Sequence, residues 1–98
     1  MTIKFGHIGK QLGTRIAGAK VRERIIEAIK NDQKIVFDFT DVEVVSNSFA
    51  DECFAKLTLF FSLAKVKENT HFQNASPFIK AVIANSFKAR LSISHSAA

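Results

Sequence analysis

The chain has 98 residues, enough for one compact domain, and its composition excludes several classes of protein. Hydrophobic residues make up 47% of it, too much for a disordered chain, yet the longest apolar run, residues 57–64, is far shorter than the ~20 residues that cross a bilayer. The net charge of +5 permits an acidic partner or nucleic acid without deciding between them. The single cysteine, Cys53, cannot form an internal disulfide, so we expect a cytoplasmic protein, and the short apolar run predicts no membrane partner.

The first third of the chain predicts a strand followed by an amphipathic helix. Apolar and polar residues alternate over residues 2–8, which is typical of a strand, and residues 9–13 are expected to form a turn. Thr14 is suited to cap a helix that runs to about Asn31. The apolar residues of that helix recur on one face, and they are Ala17, Val21, Ile25, Ala28 and Ile29.

The centre of the chain combines a strongly apolar strand with a polar segment. Residues 33–39 predict the central strand of a sheet, and the β-branched and aromatic residues within it are typical of a strand covered on both faces. Residues 41–45 are expected to form one loose turn. Ser48 then caps a helix predicted to reach about Lys65, and Ser48 with Asp51 three residues later resembles a capping box.

The last third predicts one more strand and one more helix. Residues 66–70 read as a polar connection, and residues 71–74 as a short strand. Ser76 followed by Pro77 is a strong helix start, and that helix is expected to end near Leu91. The whole order predicts an α/β fold with a small parallel or mixed sheet and right-handed βα crossovers. We expect residues 1–91 to form this single domain and residues 92–98 a flexible C-terminal tail.

Two segments of the chain carry a family resemblance. Residues 38–42, Asp-Phe-Thr-Asp-Val, followed by residues 46–52, Ser-Asn-Ser-Phe-Ala-Asp-Glu, resemble the STAS-like domain family of unknown function. That family is related in pattern to the STAS domains of bacterial anti-sigma-factor antagonists. The pattern extends over roughly residues 3–90 and includes Gly18, Arg22, Asn74 and Arg90.

The resemblance implies a STAS-like architecture and a regulatory role. In the antagonists, a loop of Asp-Ser-Ser-Gly type carries a serine that a partner kinase phosphorylates, and Ser48 aligns with that serine. Ser46 stands where the antagonists have Asp, and Phe49 where they have Gly. The implied partner is an anti-sigma-type kinase with a histidine-kinase-like ATPase fold. The implied partner-binding residues are Ser46, Asn47, Ser48, Phe49, Asp51 and Glu52.

Several of these residues also have a purely structural interpretation. Asp38, inside an apolar strand, is expected to accept backbone N–H groups of the following turn, and the alternative is that it orients Ser48 or a metal-bound phosphate. Ser48 is either a helix cap or the phosphoacceptor. Phe49 is expected in the core, with a place on the partner surface as the alternative. Arg15, expected near Asp38, forms either a structural ion pair or an anion contact.

The leading functional hypothesis is a non-catalytic regulatory domain that binds a protein partner. A nucleic-acid-binding role for the first helix is disfavoured because acids interleave with its basic residues, Lys20, Arg22, Arg24 and Lys30. A small-ligand or nucleotide-sensing domain is a further alternative, although no glycine-rich phosphate loop is present. An enzyme using Asp38 and Ser48 ranks lowest because no general base is evident, and no metal or cofactor is predicted. The apolar stripe through Phe60 and Phe61 makes self-association compatible with the leading hypothesis.

Overall fold

The computed structural model describes the backbone of residues 1–96 and the side chains of residues 1–93. Within these residues the fold is α/β, as predicted. The strands are β1 (Thr2–Lys4), β2 (Gln11–Leu12), β3 (Ile35–Asp38), β4 (Val44–Val45) and β5 (Thr70–Gln73). The helices are α1 (Arg15–Lys30), α2 (Asn47–Cys53), α3 (Leu63–Asn69) and α4 (Pro77–Ser96), and two 3-10 turns span Phe5–His7 and Ala55–Leu59.

The main sheet has three parallel strands in the order β1-β3-β5. The prediction that the second predicted strand is central is confirmed, since β3 lies between the other two. The strand order follows the chain order in one direction. Right-handed crossovers, the rule for parallel strands, then place the connecting helices on the same face of the sheet.

The burial of the strands shows that the helices cover one face of this sheet. Ile3, Ile35 and Phe37 are buried, whereas their neighbours Val36 and Asp38 are only half-buried. On β5, His71 and Gln73 are exposed. The prediction that residues 35–39 are covered on both faces is therefore wrong. An apolar strand sequence indicates burial, but the crossover geometry decides how many faces are buried.

Helix α1 forms where the sequence predicts it. Thr14 caps it, because the Thr14 Oγ1 atom accepts a hydrogen bond from the Ala17 N–H at 3.1 Å. The predicted apolar face packs inward, with Val21, Ile25 and Ile29 buried. Ser76 likewise caps α4, where its Oγ accepts from the Ile79 N–H at 3.1 Å, and α4 begins at Pro77.

The single helix predicted from Ser48 to about Lys65 is wrong. The chain forms α2, a 3-10 turn and then α3, which begins after Ser62. The Ser62 Oγ caps α3 by accepting from the Lys65 N–H at 3.1 Å. One continuous helix would spread its apolar side chains around most of its circumference. The break lets Phe54, Leu57 and Val66 all enter one core. The predicted polar connection at residues 66–70 is consequently the end of α3 and the start of β5.

Phenylalanine rings form the centre of the core. Phe54 lies at the junction of α2 and the 3-10 turn and is completely buried. The centroid of its ring lies 5.2–6.4 Å from those of the other five rings in the cluster, which belong to Phe5, Phe37, Phe39, Phe49 and Phe72. Strands β3 and β5 and the 3-10 turn after β1 therefore share one aromatic cluster with the end of α2, and this cluster fixes the position of α2 on the sheet.

Three smaller predictions also need correction. The first strand ends at Lys4, because Phe5–His7 forms a 3-10 turn that carries Phe5 into the core. The predicted turns at residues 9–13 and 41–45 contain β2 and β4, which pair with each other in parallel. Helix α4 continues five residues beyond Leu91 to Ser96. Of the predicted tail, residues 97 and 98 lie outside the described part of the chain.

Candidate functional site

Ser46 holds the start of α2 in place. Its Oγ accepts a hydrogen bond from the Phe49 N–H at 3.0 Å, so Ser46 is the N-cap of α2. The same hydroxyl donates to the backbone carbonyl of Gly13 at 3.0 Å. The Ser46 N–H also donates to the carbonyl of Leu12 at 2.9 Å. Ser46 therefore joins α2 to the segment that leads into α1.

The interpretation of Ser48 as the helix cap is wrong, and so is the capping box with Asp51. Helix α2 begins at Asn47, so Ser48 lies in its first turn and is half-buried. Any of the three polar residues at 46–48 has a side chain able to cap a helix. The pairing of β2 with β4 places the chain so that Ser46 takes this position.

Glu52 is the centre of a cluster of ion pairs next to this helix start. Its Oε2 lies 2.8 Å from Arg15 Nη1, and its Oε1 lies 3.0 Å from Arg22 Nη1 and 2.8 Å from Lys56 Nζ. Arg22 also donates to the Glu52 backbone carbonyl at 2.6 Å. Lys56 follows Glu52 by four residues, a spacing that brings side chains of opposite charge together. These contacts connect α2 to α1 and satisfy a carboxylate that is almost fully buried.

Asp51 connects α2 to α4. Arg90 binds it in a bidentate manner, with Nε at 3.1 Å from Oδ1 and Nη2 at 2.6 Å from Oδ2. Arg15 Nη1 lies 3.1 Å from the same Oδ2. A bidentate guanidinium–carboxylate pair fixes both the distance and the orientation of the two groups. Asp51 and Glu52 together thus hold α1, α2 and α4 in one arrangement.

These contacts keep both carboxylates ionised. Hydrogen bonds from Lys56, Arg15 and Arg22 lower the pKa of Glu52 to about 2, against the opposing effect of partial desolvation. For Asp51, desolvation acts to raise the pKa, but the hydrogen bonds from Arg90 and Arg15 outweigh it and the pKa is lowered. At neutral pH both acids are therefore fully charged and paired.

A groove of about 440 Å³ opens between the start of α2 and α4, and we call it the Ser48 groove. Its walls are formed by Arg15, Asn47, Ser48, Asp51, Asn85, Ser86, Ala89, Arg90 and Ile93. Four residues predicted from the sequence, namely Arg15, Asn47, Ser48 and Asp51, are thus brought together at one groove. Two guanidinium groups and one carboxylate give the groove a mixed charge, and Ser48 is one of its lining residues.

Asp38 lies at a different place, at the end of β3. Its Oδ1 accepts hydrogen bonds from the Thr40 N–H at 3.0 Å, the Thr40 hydroxyl at 2.7 Å and the Asn74 side chain at 3.1 Å. The prediction that Asp38 accepts a backbone N–H of the turn is confirmed. Hydrogen bonds from Asn74 and Thr40 lower the pKa of Asp38 to about 2. Asn74 is a turn residue with a left-handed backbone (φ 57°), so this network joins the ends of β3 and β5.

The predicted grouping of Asp38 with Ser48 and Arg15 is wrong. Asp38 lines a separate small cleft with Lys4, Gly6 and Thr40, whereas Ser48 and Arg15 line the Ser48 groove. Arg15 contacts Asp51 and Glu52 instead, which confirms its interpretation as part of an ion pair. Asp38 is at the carboxyl end of its strand, but α2 begins only after the β2–β4 pair, and this displaces its first turn from Asp38.

Phe49 and Cys53 both lie in the interior of the domain. Phe49 is completely buried in the aromatic cluster, so it is a core residue and cannot contact a partner in the folded domain. Cys53 is buried as well, and burial raises the pKa of its thiol well above the usual value, as expected of an inert cysteine. Ser46, Asn47, Ser48 and Asp51 retain at least partial exposure.

The contribution of α4 to the site was not predicted from the sequence. Ser86 and Arg90 follow Ile79 and Ile83 at seven-residue spacing, so they lie on the same face of α4 as these two core residues, and Asn85 adjoins Ser86. Two polar residues that continue an apolar stripe are the signal that could have indicated a partly buried polar contact of α4. That Arg90 meets Asp51 depends on packing between segments 39 residues apart.

The remaining predicted surfaces were those for nucleic acid and self-association. Arg22 is half-buried and bound to Glu52, which leaves Lys20, Arg24 and Lys30 as the exposed members of the basic set on α1. Phe60 is exposed, with 55% of its surface accessible, and Phe61 packs partly against the core.

Among the described residues, no group of three or more His, Cys, Asp or Glu side chains could hold a metal ion. No helix in the described part has the length and apolar character needed to cross a membrane.

Comparison with known proteins gives one match. The model of a family described as STAS-like domain of unknown function (DUF4325) matches residues 17–80, which include most of α1 and all of β3, β4, α2, α3 and β5. The searches against curated proteins and against solved structures give no match. The match covers Ser46 to Glu52 and Arg22 of α1, whereas Arg15 and Arg90 lie outside the matched region.

Proposed function

Because the chain belongs to the family of STAS-like domains of unknown function, we propose that it is a non-catalytic regulatory domain that binds a protein partner at the Ser48 groove. The residues proposed to contact the partner are Asn47, Ser48 and Asp51, which line the groove, while Ser46 holds the start of α2 as its cap. Glu52 supports them from within through its contacts to α1, and Phe49 does so through the core. Phe49 and Glu52, which the sequence included among the partner-binding residues, are buried and are therefore left out of the proposed contact surface.

One observation carries this proposal: Ser46, rather than Ser48, caps α2. Ser48 therefore lines the groove without being needed to cap the helix. A serine that is not used as a cap, beside two arginines and one aspartate, can change the charge of the groove when it is modified.

Phosphorylation of Ser48 is the proposed switch. A phosphoryl group would add a charge of about −1.5 to −2 at neutral pH, together with oxygens that bind guanidinium groups strongly. Arg15 and Arg90 already bind Asp51, so the phosphate would compete with that carboxylate for them and also repel it. The domain would keep its fold while the groove became more negative and more crowded, and a partner docked there would be released.

The chemistry of the groove supports a non-catalytic role. Asp51 is held by two arginines and its pKa is lowered, which makes its carboxylate a poor general base for the Ser48 hydroxyl. The one thiol of the chain is buried away from the groove. The partner proposed from the resemblance to anti-sigma-factor antagonists is a kinase with a histidine-kinase-like ATPase fold, in the cytoplasm.

Affinity capture from extracts of the native host tests this proposal. The baits are the wild-type domain, Ser48→Ala, Ser48→Asp and the control Ser62→Asp. Ser62 is also a serine, and it caps α3 rather than lining the groove, so aspartate there adds the same charge and can still cap. Captured proteins are identified by mass spectrometry.

We expect one protein to be retained by the wild type, by Ser48→Ala and by Ser62→Asp, and lost from Ser48→Asp. Capture of the same proteins by all four baits would contradict a partner site at Ser48. A partner lost equally from Ser48→Asp and Ser62→Asp would respond only to net charge, which would also contradict the proposal.

A further inference from the structure

A second groove, of about 440 Å³, lies at the outer edge of β5 between α3 and α4, and we call it the β5 groove. It shares no lining residue with the Ser48 groove. Its apolar lining consists mainly of Leu63, Val66, Phe72, Ile83, Phe87 and Leu91. Phe72 is only half-buried although its ring also contacts Phe37, Phe39 and Phe54. The aromatic core of the domain therefore opens onto this groove.

The groove runs beside an unpaired strand edge. In the sheet of the described residues, β5 pairs with β3 and with no other strand. The Gln73 carbonyl accepts from the Phe39 N–H at 3.0 Å, so the peptide groups of Gln73 point towards β3. Peptide groups of successive strand residues point to opposite sides, and hence the N–H and C=O of Phe72 point to the outer edge.

The unpaired edge of β5 and the β5 groove have similar lengths. Strand β5 has four residues, which span about 13 Å. The lining residues on α4 extend from Lys80 to Leu91, which is about 16 Å along a helix. An extended segment of four or five residues would pair with β5 along its whole length and place every second side chain in the groove.

The charge at the groove indicates what kind of segment would fit. Three exposed lysines, Lys67, Lys80 and Lys88, line it, and no acidic residue is among its described lining residues. A second copy of this chain is disfavoured as the occupant. Two copies meeting across a two-fold axis at this groove would bring the same three lysines together, and each chain carries a net charge of +5.

We propose that the β5 groove binds an extended segment of a partner protein, which adds a strand to the edge of β5. Apolar side chains at alternate positions of this segment enter the groove, and flanking acidic residues meet Lys67, Lys80 and Lys88. Strand addition uses backbone hydrogen bonds for affinity and side-chain pockets for specificity. This site is separate from Ser48, so its test does not depend on the proposed phosphorylation switch.

A selection from random eight-residue peptides displayed on phage, with the purified full chain as target, tests the proposal. Enriched peptides are synthesised, and their dissociation constants are measured by fluorescence anisotropy. The test variant carries Lys67→Glu, Lys80→Glu and Lys88→Glu. The matched control carries Lys10→Glu, Lys20→Glu and Lys30→Glu, three exposed lysines outside the groove with the same change in net charge.

We expect enriched peptides with alternating apolar residues flanked by acids. Their affinity should fall at least about tenfold in the test variant and much less in the control, and binding should weaken with salt. In amide hydrogen exchange, the bound peptide should slow exchange at the Phe72 N–H, because that group would donate to the added strand. This readout separates strand addition from a peptide that merely covers the groove.

A selection in which no peptide is enriched would overturn the proposal, and so would any of three further results. The first is an equal loss of the peptide from both charge variants. The second is protection of amides around Ser48 with none at Phe72. The third is binding of dodecanoate, used as an anionic aliphatic probe, in the absence of any enriched peptide, since this would assign the groove to a lipid-like ligand.

Discussion

Ser46 and Ser48 are separated by one residue but have different surroundings at the start of α2. The Ser46 hydroxyl accepts from the Phe49 N–H and donates to the Gly13 carbonyl, whereas Ser48 lines a groove. This difference is the basis for assigning a structural role to the first serine and a functional role to the second.

Alanine substitutions at the two serines should therefore have unequal effects on stability. Ser46→Ala removes the cap of α2 and should lower the free energy of unfolding by about 1 kcal/mol or somewhat more. Ser48→Ala removes no cap and should change it by less than about 0.5 kcal/mol. Urea unfolding of both variants checks this expectation. An equal loss of unfolding free energy in the two variants would indicate that Ser48 has a structural role.

The sequence indicates which residues of the site are polar and clustered along the chain, but not which of them meet. Asn47, Ser48 and Asp51 could be predicted together because they share one helix start. Arg15 was expected near Asp38 because it follows the first predicted turn, and it lies instead beside Asp51 and Glu52. The direction of a long side chain depends on the packing of whole helices, which no local pattern records.

At the scale of elements, α1 and α2 approach closely at Gly18. A Cβ atom at this position would lie 3.0 Å from the Phe49 carbonyl oxygen, 3.0 Å from Glu52 Cβ and 3.3 Å from Cys53 N. Two of these neighbours are backbone atoms of α2, which cannot turn away as a flexible side chain can. Glycine at this position allows the helices to approach and the arginines of α1 to reach Glu52.

Gly18→Ala should destabilise the domain although alanine favours an isolated helix over glycine by about 1 kcal/mol. The two helices would have to separate, and overpacking of this kind costs about 1–3 kcal/mol. We therefore expect a lower melting temperature. Gly13→Ala is the matched control, since a Cβ there meets no atom within 4 Å, and it should leave the melting temperature nearly unchanged. A Gly18→Ala protein as stable as the control would show that α1 and α2 are not tightly packed.

The ion pairs of Glu52 should make the contact between α1 and α2 sensitive to acid. The pKa of Glu52 is about 2 in the folded protein against an ordinary value of 4.5. Because the folded-state pKa is depressed, the stabilisation is fully present above pH 4.5 and is lost as the pH falls towards 2. Asp38, with a pKa lowered from 3.8 to about 2, adds to the same loss.

Glu52→Gln tests this contribution. It should lower stability at pH 7, since Arg15, Arg22 and Lys56 lose their carboxylate, and it should reduce the fall in stability between pH 5 and pH 2. Chemical unfolding at several pH values measures both effects. Glu43→Gln, which changes an exposed acid just before β4, should leave the slope as in the wild type. If the Glu52→Gln protein showed the wild-type slope, Glu52 would not be responsible for the acid sensitivity.

The elements that the sequence predicted well are those determined by local signals. Thr14 and Ser76 cap helices whose apolar spacing continues without interruption, and both helices were found. The region from Ser48 to Lys65 was mispredicted because its apolar residues fit one long helix equally well. Long-range contacts of Phe54 with β3, β5 and the 3-10 turn after β1 decide the break. Strands β2 and β4, with two residues each, are too short to produce a recognisable pattern.

At the scale of the whole molecule, the strand order places the helices on one face of the sheet, and the two grooves described above lie between these helices. The two grooves lie on different sides of α4. The Ser48 groove joins α4 to α2, and the β5 groove joins α4 to α3. The two proposed binding sites share no lining residue, so we expect that a partner at one of them leaves the other accessible.

The central claim is that a phosphate on Ser48 weakens partner binding without unfolding the domain. The most direct measurement is the dissociation constant of the captured partner for the unmodified domain and for the domain with phosphoserine incorporated at position 48. We predict a dissociation constant at least about tenfold higher for the phosphorylated domain, equivalent to about 1.4 kcal/mol, with an unchanged circular dichroism spectrum. Equal dissociation constants for the two forms would contradict the account.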